Sequence, residues 1–102
     1  GQLAILVTAR GTNAITEWTI HVEEARKAGL EEPLIEALAR DGTHTPIHTF
    51  SDPIDSAIFA FAAELVSDKR VSDPTYWGLQ QLLGDRACVE LVSIVGYYTY
   101  VS

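Results

Sequence analysis

The tripeptide Ser-Asp-Pro occurs twice, at Ser51–Pro53 and at Ser72–Pro74, and no other feature limits the possible folds as much. A cap residue followed by proline at the first helical position is a start signal, since proline has no N–H to leave unpaired there. Each copy therefore predicts a helix. The first, "PIDSAIFAFAAELVSDKR", carries Ile54, Ile58, Phe61 and Leu65 on one face, with Ala57, Ala60 and Ala62 permitting close packing. The second, "PTYWGLQQLLG", carries Tyr76, Leu79, Leu82 and Leu83 and stops at Gly84. The flanking sequences differ, so the signal is repeated but the unit is not.

Glycines punctuate the upstream half. Between Asn13 and Ala28 the apolar residues Ile15, Trp18, Val22 and Ala25 recur at helical spacing, and Gly29 supplies the stop. "EEPLIEALARDG" predicts a shorter helix with Leu34, Ile35 and Leu38, Pro33 in its first turn and Gly42 at its end. Thr43 to Phe50, around Pro46, reads as a loop. The two ends, "LAILVTA" and "LVSIVGYYTYV", are rich in β-branched and aromatic residues, and propensity alone makes them strands. Length argues against this for the second, because Arg86 to Val101 is too long for an uninterrupted strand. As a helix it is apolar nearly all round except at Glu90 and Ser93. Such a helix is buried on several sides, here partly by another subunit.

At 102 residues the chain holds one domain, spanning 1–102, with a modest core. The 14 acids against 7 bases, with no basic run, argue against nucleic acid and against anionic membrane surfaces. Arg26, Lys27, Lys69 and Arg70 read as cations complementing helix ends. A single cysteine, Cys88, provides neither an intramolecular disulfide nor a Cys-x-x-Cys pair, and suits a reducing compartment. No apolar stretch reaches the ~20 residues of a membrane span. A cytoplasmic location is the expectation. Both ends lie inside apolar runs, as in a segment of a longer protein.

The stretch "EWTIHVEEARKAG" sets Glu17 four residues before His21, which puts both on one helix face. Histidine titrates near neutral pH, and a neighbouring carboxylate fixes its tautomer, so the pair suits general acid/base work. The same spacing also occurs on solvated helix faces, where such a pair contributes only ~0.2–0.5 kcal/mol. Arg10 suits bidentate recognition of a carboxylate, or complements a helix end. His44 and His48 flank Pro46, but a metal site built on them needs a third ligand.

In chain order, "LAILVTAR", "EWTIHVEEARKAGL", an acidic short helix, "FSDP" and "VELVSIVGYYTYVS" resemble the carboxymuconolactone decarboxylase family, relatives of the alkyl hydroperoxidase D-like proteins. The resemblance implies an all-α fold of about six helices around a helix hairpin, helical at both ends, assembling as a homo-trimer or homo-hexamer. Peroxidase-type members carry a Cys-x-x-Cys pair just before a histidine. Matching His21 to that histidine places Ala14 and Glu17 at the thiol positions, so thiol peroxidase chemistry is not expected. Decarboxylase-type members have Glu-x-x-x-His on this helix. By that likeness, Glu17 and His21 are the catalytic pair of a cofactor-independent, metal-free lyase acting on a small carboxylated or lactone-like molecule. Arg10 and Tyr98 are the candidate substrate-binding residues. The alternative is a non-catalytic oligomeric scaffold or small-molecule binder.

Overall fold

The computed structural model describes residues 1–101, and these form helices and turns without a strand. Six α-helices follow in order: α1 Gln2–Gly11, α2 Ile15–Lys27, α3 Glu32–Asp41, α4 Pro53–Asp68, α5 Asp73–Leu83 and α6 Asp85–Tyr100. Between α3 and α4 the expected loop tightens into two 3-10 turns, Gly42–His44 and Ile47–Thr49.

The apolar N-terminal run becomes the central element. Every residue from Leu3 to Ala9 is buried, which is how a helix apolar on all sides is stabilised in water. The Thr8 hydroxyl inside this stretch donates to the Ala4 carbonyl at 2.8 Å, so its burial leaves no unpaired polar atom. Helices α2, α4 and α6 pack around α1. The first two helices form a hairpin: Ala14 N–H donates to Ala9 O at 2.8 Å at its turn, and Gln2 meets His21 at its far end.

The two Ser-Asp-Pro signals both start helices, in different registers. In the first, Asp52 is the cap, its carboxylate accepting from Ile54 N–H at 2.8 Å with Pro53 as the first helical residue. In the second, Ser72 is the cap residue but makes no side-chain bond to the backbone of its helix. Glu64 of α4 instead reaches across, accepting from Ser72 N–H at 2.8 Å and from the Thr75 hydroxyl. Gly29, Gly42 and Gly84 all follow helix ends with positive φ, where a side chain is disfavoured.

Four residues expected on core faces are exposed in the single chain. Ile15 is at the first turn of α2, Ile54 at the first turn of α4, and Leu82 and Leu83 at the last turn of α5, so all four lie at helix ends. Helix α6 shows the same mismatch on a larger scale. It buries Cys88, Leu91 and Val95 but leaves Val89, Val92, Tyr97 and Tyr100 open. No helix among the described residues is long and apolar enough to cross a membrane.

Candidate functional site

The hairpin brings Gln2, from the first turn of α1, onto His21, from the middle of α2. Gln2 Oε1 lies 3.1 Å from His21 Nδ1. With that oxygen accepting, the proton of a neutral ring sits on Nδ1 and the lone pair on Nε2. Glu17 Oε2 stands 3.6 Å from Nε2, within ion-pair range but longer than a hydrogen bond. A protonated ring therefore has a hydrogen-bond acceptor at Nδ1 and an ion-pair partner at Nε2.

From the other side α6 supplies Tyr98, whose ring meets the imidazole in a T-shaped contact with centroids 5.2 Å apart. Tyr97 packs edge-on against Tyr98 at 5.0 Å and is itself 60% exposed. The result is a cluster drawn from three helices. The His21 side chain retains 15% of its free exposure and Glu17 24%, so this is not an open polar face.

Arg10 lies elsewhere. Its Nε donates to Ala39 O at 2.8 Å and its Nη1 to Asn13 Oδ1 at 3.0 Å. It lines a hollow of about 370 Å³ with Ala9, Asn13, Ala14, Ile15, Trp18 and Ala39. Neither Glu17 nor His21 lines that hollow. The structure thus brings Tyr98 to His21 and gives Arg10 partners and a hollow that neither Glu17 nor His21 shares.

Gln2 was not legible as a site residue. It is 19 positions from His21 in the chain, and only the pairing of α1 with α2 makes them neighbours. His44 and His48 are exposed, and no group of three metal-ligating side chains occurs among the described residues. Cys88 is buried, and burial pushes its thiol up, which disfavours the reactive thiolate.

No family model matches the chain, and neither a curated protein nor a solved structure matches it.

Proposed function

We propose that this chain is a carboxymuconolactone decarboxylase-like, cofactor-independent lyase, with His21 as the acid/base and Glu17 as its orienter. One observation carries the reading: a mostly covered imidazole, fixed at Nδ1 by Gln2, holds Nε2 beside a carboxylate. Loss of CO2 from a carboxylated lactone breaks a C–C bond and leaves its electron pair on an enolate-like carbanion. The imidazolium delivers the Nε2 proton to that carbon, and solvent restores the proton to the ring. Glu17 steadies the charged ring before delivery. Tyr98 packs against the imidazole.

The reading includes self-association as a homo-trimer or homo-hexamer in a cytoplasmic setting. Val89, Val92, Tyr97 and Tyr100 form an apolar face on α6 that water covers in the single chain. Tyr97 belongs to both that face and the histidine cluster, so a second copy seated there would roof the site.

A second reading, a non-catalytic oligomeric binder, has its own support. Glu17, His21 and Tyr98 line none of the hollows at Arg10, at Asp52, at Gly96 and at Ile58, and of the cluster only Gln2 reaches one, that at Ile58. A panel of carboxylated γ-lactones separates the two. Under the lyase reading the wild type turns over a member of the panel, while His21→Ala and Glu17→Gln abolish turnover and keep helicity and oligomeric state. Activity surviving both changes removes the site assignment. A wild type that shows neither turnover nor thermal stabilisation favours the binder.

A further inference from the structure

We propose that the hollow between the ends of α1 and α3 and the start of α2 binds a small monocarboxylate with an apolar body, at a site separate from Glu17 and His21. The hollow has about 370 Å³, within the ordinary range for small-molecule sites. Its polar focus is Arg10, and its wall is apolar. Trp18 is half-buried along one side, Ile15 is 78% exposed beside it, and Ala9, Ala14 and Ala39 are too small to fill the space.

Arg10 is held in place from three directions. Nε is tied to Ala39 O, Nη1 is tied to Asn13 Oδ1, and the stem lies over Gly42, where an added Cβ would come within 3.2 Å of Cγ. Asn13 itself adopts a left-handed backbone, φ 56°, which asparagine tolerates better than most residues. These contacts occupy two of the five guanidinium N–H groups and leave three for a ligand. A fixed planar fork with free donors matches a carboxylate.

The charge pattern points the same way. Arg26, Lys27 and Arg40 each pair with a carboxylate. Arg10, like Lys69, Arg70 and Arg86, is in no ion pair with a carboxylate among the described residues. Unlike Arg26, Lys27 and Arg40, it is held by neutral acceptors and stands beside an apolar wall. A helix-end clasp explains the Ala39 bond alone; it does not explain Ile15 and Trp18 flanking an open hollow. Arg10 and Gln2 are eight residues apart on α1, about 12 Å along its axis, so this site stands independently of the lyase reading.

The test is a fluorescence titration in a Trp77→Phe background, which leaves Trp18 as the only indole. The probes are 3-phenylpropanoate and its neutral amide. The expected result is saturable quenching by the acid with Kd at or below about 1 mM, and binding of the amide at least about tenfold weaker. Arg10→Gln reduces acid binding by about tenfold or more. Ala39→Leu, at an exposed helical position, fills the hollow and abolishes binding with helicity unchanged, which guards against a misfolded Arg10 variant. His21→Ala leaves binding as in wild type. Equal binding of acid and amide, undiminished binding by Arg10→Gln, or no saturation by about 10 mM overturns the proposal. So does conversion of an oligomer to a monomer by Ala39→Leu without acid binding, which assigns the hollow to a second copy.

Discussion

Tyr98 of α6 meets His21 of α2 in a T-shaped contact, with centroids 5.2 Å apart and ring planes at 82°. Two helices that are distant in sequence thus fix one imidazole between an aromatic ring and the Gln2 amide of a third. Packing sets the direction of Nε2, and the direction of Nε2 sets where a proton can be delivered.

Removal of the Nδ1 partner is therefore expected to affect chemistry more than binding. Gln2→Ala should lower kcat on a carboxylated lactone by about tenfold or more with a smaller change in KM, because the ring loses its fixed tautomer. Tyr98→Phe keeps the ring contact and should retain the fold. Steady-state kinetics of both variants check this. A change confined to KM in Gln2→Ala would contradict the orienting role.

Glu64 gives the fold an acid-sensitive joint. Burial works to raise its carboxyl, but hydrogen bonds from the Thr75 hydroxyl, the Ser72 backbone and the Ser72 hydroxyl outweigh burial and hold it below the usual glutamate range. A carboxyl lowered in the folded state contributes stability above its unfolded pKa and loses it as pH falls through the folded value. Glu64→Gln should thus destabilise the protein by about 1 kcal/mol at pH 7, with the difference from wild type shrinking as pH falls from the ordinary glutamate range through the lower folded value. Asp55 opposes this trend in the wild type, because burial and the nearby Asp52 charge raise its carboxyl and make its contribution fade as pH rises. Subtracting the Glu64→Gln denaturation curves from wild type at each pH cancels Asp55. A difference that stays constant between pH 7 and pH 3 would refute the assignment.

Gly11 lets the end of α1 pack tightly against Val66 of α4. A Cβ there would lie 2.7 Å from Val66 Cγ1 and 3.0 Å from Thr43 Cγ2, closer than packed carbons come. Gly11→Ala should cost about 1–3 kcal/mol by urea denaturation despite alanine's better helix propensity. Val66→Ala should recover part of the loss by making room. A neutral or stabilising Gly11→Ala would show that the helices have room to separate.

The α6 face is expected to drive self-association. Val89 and Val92 are exposed in the single chain, so Val89→Lys with Val92→Lys should leave the monomer's helicity intact. Sedimentation at about 100 µM should show wild-type oligomers and a monomeric double variant. A monomeric wild type at that concentration would leave the face without its proposed occupant.

Local signals in the sequence were enough to place α2, α3, α4 and α5, since caps, prolines and stop glycines act within a few residues. They were not enough for the ends. The β-branched run of α1 is helical because burial on every side outweighs propensity, and burial is a property of the assembled helices. The start of α5 shows the same limit in miniature: the cap-then-proline signal names Asp73, yet the cap is Ser72 and the anion serving that end is Glu64, one helix back. In the site, Glu17 and His21 were legible because they share one helix face. Gln2 was not, and Arg10 could not be separated from the pair, because α1 runs past α2 and carries them to opposite ends of the hairpin.

The most direct measurement of the central claim is decarboxylation of a carboxylated γ-lactone in D2O, followed by NMR. The account predicts CO2 release with one deuterium at the carbon that lost it in wild type, and neither event with His21→Ala at matched helicity and oligomeric state. CO2 release at the wild-type rate by His21→Ala would contradict it.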